Sequence, residues 1–302
     1  MSAASAGGMS RDQFFALVAD VRPELHRFCA RMIGSISDGE DIVQDTLLRA
    51  YDAMSGVAEP PPLRPWLFRI ARNRAIDHMR SYDHRMREPI EHGLDVVADD
   101  DPREALARDE ALRAAIAWFI ELPPAQRCCV ILKDVLGHSV DEIAELTALS
   151  VAAVKAALRR GRVRLGEVQR RALAEPPPER TSSPMFARYA ALFNARDWDG
   201  VRAMLGEDVR LDVLERIQRT GKPAVGQYFT NYERHTGWHV APAWLDGREV
   251  LAVFQDDGQP PYVIELEVRG DQIISIRDFR YIPYIASEAR FVGASGESLP
   301  RR

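Results

Sequence analysis

Apolar positions along this chain follow a helical period up to about residue 172, then alternate in short runs beyond residue 184. Phe14, Phe15, Val18 and Val21 begin one amphipathic helix, and Leu25, Phe28, Cys29 and Met32 carry the stripe on past Pro23. Residues 34–39, bounded by two glycines, read as a break. Residues 41–51 then predict a helix with Ile42, Leu48 and Tyr51 among its inward positions. Pro60-Pro61-Pro62 stops the chain before a further helix that carries Trp66 and Ile70 on its apolar side. Helix resumes around Pro102, a favoured first-turn proline, and runs through Ala111, Leu112, Ile116 and Phe119 to Pro123-Pro124. Three more helices follow, to about Ala172.

Beyond Pro184 the pattern predicts two short helices (186–195 and 198–205), a strand near 209–214 and a helix over 224–232. Four strand-like runs come next, at 239–244, 249–254, 262–268 and 273–281. Asp246-Gly247, Asp257-Gly258 and Gly270-Asp271 mark the turns between them. Helices followed by a curved antiparallel sheet make an α+β domain. The expected organisation is therefore multidomain. An all-α segment at 11–88 is joined by an acidic connector, 89–101, to a second all-α segment at 102–173. A Pro-rich connector at 174–184 leads to the α+β segment, 185–292, and a tail at 293–302.

The second all-α segment contains a helix-turn-helix. Ser139 and Glu142 form a Ser-x-x-Glu capping box, after which Val140, Ile143, Ala144 and Leu146 face inward. Ser150 caps the next helix, with Val151, Val154, Leu158 and Leu165 as its inner positions. That spacing leaves Ala152, Ala153, Lys155, Ala156, Arg159 and Arg160 outside. Small residues near the helix start allow a deep seat in the major groove, and the cations farther along reach phosphates or base edges. An ordinary helical hairpin with a solvated basic face is the plainer alternative.

Charge changes the picture only when it is divided along the chain. The net charge of −5 hides seven arginines over 64–88, and Lys155 with six arginines over 151–171. Between them, residues 91–110 hold eight acids and two arginines. Positive charge is thus focused on two helical modules, as duplex DNA would require. Lysine occurs only at 133, 155 and 222, an arginine bias that phosphate recognition and a GC-rich genome explain equally well. Cys29, Cys128 and Cys129 have neither metal-ligand spacing nor a disulfide framework. With no apolar run long enough to span a membrane and no signal-peptide order at residues 1–10, a cytoplasmic location is expected.

Asp41-Ile-Val-Gln-Asp45, Trp66-Leu-Phe-Arg-Ile-Ala-Arg-Asn73 and the helix-turn-helix resemble, in order and spacing, regions 2 and 4 of the extracytoplasmic-function group of sigma-70 factors. The resemblance covers about residues 11–172. It implies a protein that binds core RNA polymerase and directs it to promoter DNA, with an anti-sigma factor as a candidate further partner. By that resemblance Asp41, Gln44 and Asp45 meet the polymerase, although a solvated helix face would look the same. Asn73 falls where the family holds a flipped base of the −10 element, and an amide suits a Watson–Crick edge; an isolated Asn is more often a cap or turn residue. Trp66 either stacks on unpaired bases or packs in the core. Arg69, Arg72, Arg74 and Arg80 are the phosphate candidates. Ala152, Lys155, Ala156, Arg159 and Arg160 are the −35 candidates. Such a mechanism calls for no metal or cofactor.

The α+β segment, with Asp197-Trp-Asp-Gly-Val201 in its second helix, is similar to SnoaL-like cone domains, a fold shared by enzymes and non-catalytic modules. Some sigma factors of this group carry one and use it for control, which implies contact between the cone and the sigma domains. The Asp-Gly-Gly-Gly-Lys and Trp-Leu-Pro motifs of known subgroups do not occur here. Asp212, His235, His239, Glu265, Glu267 and Tyr281 are the acid–base groups a catalytic cone would draw on. Gly237 and strand alternation scatter them. Tyr228, Tyr232, Trp238, Trp244 and Phe279 read as core or interface.

Overall fold

The computed structural model describes residues 10–54, 62–83, 115–174, 180–214, 216–234, 236–257, 259, 261–288 and 291–293. The acidic connector at 89–101, the helix start at Pro102, most of the Pro-rich connector, His235 and the tail past Gly293 lie outside the described residues. Contacts divide the chain into two compact units, Met1–Glu175 and Pro176–Arg302.

The first unit opens with α1 (Arg11–Val18), where Ser10 and Gln13 form a capping box. In α2 (Arg22–Ile33) Pro23 sits in the first turn, so it starts a helix rather than interrupting one. Gly34, at φ +80°, ends α2 in the left-handed conformation. α3 (Ile36–Met54) begins only two residues later, so the break expected over 34–39 is confined to Gly34 and Ser35. Gly39 lies inside α3 because the helix crosses α2 there: a β-carbon would stand 2.6 Å from the Ala30 Cα. Leu48, expected inward, is 44% exposed. Leu47 fills the core at that turn, and Tyr51 meets the Phe14 ring at 5.7 Å. The first helical module ends with α4 (Leu63–Asp83).

The second helical module is described from a 3-10 turn (Ile116–Glu121), the visible part of the helix expected through Phe119. α5 (Pro124–Val130) continues into a π-helical turn (Ile131–Val135), followed by α6 (Val140–Thr147) and α7 (Val151–Ala174). The two modules share one hydrophobic core. Phe14, Phe28, Leu47 and Phe68 are buried in the same cluster as Phe119, Leu132, Val154 and Leu158.

The second unit begins with α8 (Pro184–Asn194) and α9 (Trp198–Ala203), capped by Ser183 and Asp197. Next come β1 (Leu205–Val213), β2 (Ile217–Thr220), and three short helical turns: α10 (Lys222–Gly226), a 3-10 turn (Gln227–Phe229) and α11 (Thr230–Glu233). β3 (Trp238–Leu245), β4 (Arg248–Gln255), β5 (Tyr262–Arg269), β6 (Gln272–Asp278) and α12 (Pro283–Glu288) complete it. The strands form one sheet in the order β2-β1-β6-β5-β4-β3. β1 and β6 run parallel and the other pairs antiparallel, so the sheet is mixed rather than antiparallel throughout. The last run ends at Asp278, short of Tyr281. β2 carries no alternation that a sequence reading could use, since all four residues of this edge strand are exposed.

Candidate nucleic-acid interface

On α3, Asp41, Gln44, Asp45 and Leu48 are spaced as one stripe on the helix surface. Asp41 and Leu48 are exposed, and Gln44 and Asp45 are half-buried. Asp45 already has partners: Arg49 donates to both its oxygens at 3.1 Å, and Arg74 of α4 pairs with it from the other side. Any external cation would have to compete with these two arginines.

α4 divides the remaining candidates of the first module. Arg69, Asn73 and Arg80 are exposed. Arg74 is held by Asp45 and, at 3.5 Å, by Asp77. Trp66 is half-buried and packs against the common core with Ile70. Arg72, expected outside, turns instead toward α5, where it hydrogen-bonds the Cys128 thiol. Its Nε is buried with no hydrogen-bond partner. Position 72 follows Phe68 by four residues, so it shares the face that meets the second module. Phe68 packs edge-on against His138 at 5.4 Å. Burial is the main cause holding the His138 pKa below the ordinary histidine value; Arg64 adds to it, and Glu142 and Glu24 oppose it.

The helix-turn-helix is built as its spacing predicts. The Ser139 hydroxyl accepts from the Glu142 backbone N–H at 3.2 Å, and Glu142 accepts from the Ser139 N–H at 2.7 Å. The Ser139 backbone bond is the main cause lowering the Glu142 pKa. Ala148, at φ +57°, makes the turn. Ser150 then caps α7 by accepting from the Ala153 N–H at 3.2 Å. Val154, Leu158 and Leu165 are buried, whereas Val151, expected inside, is exposed at the helix start before α7 reaches its packing partner. α7 lies against α5 at Gly161, where a β-carbon would stand 2.7 Å from the Val130 side chain. Arg162 fixes this placement by donating to both oxygens of buried Asp134, at 2.9 and 2.6 Å.

Of the candidates on α7, Ala152 and Arg159 are exposed, and Lys155 and Arg160 half-buried. Ala156 departs from the expectation, being only 2% exposed. A groove lined by Gln126, Arg159, Arg160, Val163, Arg164 and Glu167 adds four residues the sequence reading passed over, among them Val163 and Arg164. The signal for these two was the helical spacing from Arg159 and Arg160.

In the second unit Asp212 and Glu265 flank Arg277 in register on the sheet, and Glu265, Glu267 and Arg277 line one groove. Asp212 lies between the buried Leu211 and Val213, His239 is exposed opposite Phe254, and Glu265 pairs with Arg277 at 3.4 Å. A buried cluster forms elsewhere. Asp278, fully buried, accepts from the Tyr228 and Tyr232 hydroxyls and from the Arg280 backbone N–H at 2.8 Å. Tyr262 joins through the Tyr232 hydroxyl at 3.1 Å. Burial pushes the Asp278 pKa above the ordinary carboxylate value, and the tyrosine donors pull it back. The sequence reading missed Asp278 and Tyr262; the parity of β6, which puts Asp278 on the face of buried Ile276, is the signal that finds the acid. Among the described residues no group of His, Cys, Asp and Glu can hold a metal ion, and no helix is long and apolar enough to cross a membrane.

Comparison with known proteins gives two family matches, Sigma-70 region 2 over residues 17–85 and Sigma-70, region 4 over residues 112–165. The ECF RNA polymerase sigma factor SigG of Mycobacterium tuberculosis is 34% identical over 217 residues, covering 63% of this chain and 58% of SigG. The chain thus spans less than two thirds of that relative. The ECF RNA polymerase sigma factor SigF of Caulobacter vibrioides is 36% identical over 147 residues, covering 48% of this chain and 78% of SigF. The crystal structure of the Mycobacterium tuberculosis extracytoplasmic function sigma factor SigJ aligns over 90% of this chain and 98% of its own, at 20% identity and a TM-score of 0.34.

Proposed function

The chain belongs to the extracytoplasmic-function RNA polymerase sigma factors, with an α+β SnoaL-like unit behind its two sigma modules, and on that premise we propose that it directs core RNA polymerase to specific promoters. The observation that carries this reading is the pair of basic helical surfaces on one chain. One is the exposed Arg69, Asn73 and Arg80 of α4, and the other the capped α7 with Ala152, Lys155, Arg159 and Arg160.

In this reading Asp41, Gln44 and Asp45 accept from cations of the polymerase, and Leu48 beside them adds an apolar contact. α7 enters the major groove of the −35 element with Ala152 leading and Arg159 and Arg160 on base edges or phosphates. Asn73 receives an extruded base of the −10 element, its amide both donating and accepting, while Arg69 and Arg80 take the phosphates beside it. Opening of the duplex is driven by binding energy for the unpaired strand. The work is done in the cytoplasm, and an anti-sigma factor is the partner expected to hold the chain in check.

The α+β unit regulates these steps by contact with the sigma modules. The Pro-rich connector keeps it at high effective concentration. The Glu265 carboxylate, beside Asp212 on the sheet, is held in an ion pair by Arg277, which favours regulation over turnover. The test is transcription reconstituted with core polymerase. Asn73→Ala should impair promoter opening and Arg159→Ala −35 binding, each with polymerase association intact, and removal of residues 174–302 should change output. A chain that never associates with polymerase would overturn the reading.

A further inference from the structure

Val151 opens α7 with its side chain in solvent. It is 42% exposed, although Val154, Leu158 and Leu165 of the same helix are buried. Ser150 and Ala152 on either side of it are exposed as well. The Ser150 oxygen is already committed, accepting from the Ala153 N–H at 3.2 Å. From Leu146 to Val154 the chain holds no charged residue, so the tip of the helix-turn-helix presents a branched apolar side chain.

The cations begin one turn farther along. Lys155 follows Val151 by four residues and shares its side of α7, and the exposed Arg159 comes four residues later. In the promoter reading proposed above, on which this inference rests, these cations hold the helix against a duplex. The first turn of a helix held in this way reaches base edges in the major groove. The Val151 side chain neither donates nor accepts a hydrogen bond there. Against guanine, adenine or cytosine it would strip water from a polar edge and leave that edge unpaired. Thymine offers the one apolar group in the groove, its C5 methyl.

We propose that Val151 is a specificity residue of the −35 contact, selecting a T·A pair by covering the thymine methyl. Lys155 and Arg159 supply affinity and the polar part of the readout, and Val151 supplies the apolar part. An apolar side chain that its own fold leaves in water thereby gains a partner only when the correct sequence is bound.

The test is selection by the full chain with core polymerase from duplexes randomised across the −35 region. The parent should enrich a T·A position that Val151→Ser does not, while both enrich the remaining positions alike. On the selected duplex, deoxyuridine in place of that thymine removes only the methyl. It should weaken parent binding about fourfold, the worth of one methyl group taken out of water. Val151→Ser should bind the thymine and deoxyuridine duplexes equally, and Val151→Ala, which keeps a smaller apolar surface, should fall between. A T·A preference that survives Val151→Ser, no T·A preference in the parent, or a parent indifferent to deoxyuridine would each overturn the proposal. A chain that recruits polymerase to no sequence at all would overturn the promoter reading first, and a pull-down with polymerase separates the two failures.

Discussion

Replacing Arg162 with methionine should leave the Asp134 carboxylate, 2% exposed, without the two hydrogen bonds it accepts at 2.9 and 2.6 Å. Removing one partner of a fully buried ion pair costs about 3–5 kcal/mol, because the remaining charge is desolvated and uncompensated. The Arg162 side chain is 20% exposed, so water reaches one side of the pair and the lower end, about 3 kcal/mol, applies. For a unit of this size that corresponds to a melting-point loss of roughly 10 °C. The double variant Arg162→Met, Asp134→Leu removes both charges and fills the space with apolar atoms. It should recover most of the loss. Thermal unfolding of the full chain, followed by far-UV circular dichroism in the helical transition, measures the parent, Arg162→Met, Asp134→Leu and the double variant as a cycle. A single-variant loss under about 1 kcal/mol, or a double variant less stable than Arg162→Met alone, would refute the argument that a stranded carboxylate is the cost.

Tyr228→Phe should destabilise the C-terminal unit by about 2 kcal/mol near pH 8, since it removes a donor to a buried acid. The Asp278 pKa is already raised in the folded state, and losing this donor raises it further. A raised carboxyl gives its full stability at low pH and loses it as pH rises through the folded pKa, so the variant's deficit should shrink between pH 8 and pH 5. Denaturant titrations at the two values measure it, and an equal deficit at both rejects the mechanism. Gly39→Ala should lower the melting temperature by a few degrees, because a β-carbon 2.6 Å from the Ala30 Cα forces α2 and α3 apart at about 1–3 kcal/mol. Gly166→Ala on α7, with nothing within 4 Å, should raise it through helix propensity alone, by up to about 1 kcal/mol.

Local signals carried the sequence reading as far as local physics decides structure. The Ser139–Glu142 box, the Ser150 cap and the turns before β4 and β6 depend on a few neighbouring residues, and they formed where expected. What the sequence did not show is set by distant partners. Gly39 reads as a helix stop until Ala30 is packed against it. Leu48 looks like core, yet Leu47 occupies that space. Arg72 and Arg127 have the composition of surface cations, and it takes a partner in the other module to half-cover the first and bury the second. Strand pairing behaves likewise. The parallel β1–β6 pair and the exposed β2 depend on chain crossings that no run of alternating residues reveals.

The three thiols of this chain are chemically quiet. Burial raises all of them, with Cys128 pushed up to about 11, Cys129 to about 12, and Cys29 also well above an ordinary cysteine. At neutral pH fewer than about one in a thousand would be ionised, and only the ionised sulfur reacts readily with peroxides or electrophiles. Peroxides and thiol-directed electrophiles therefore meet little thiolate at these three positions. A cell that used this regulator to answer oxidative stress would have to place the chemical sensor on whatever protein releases it.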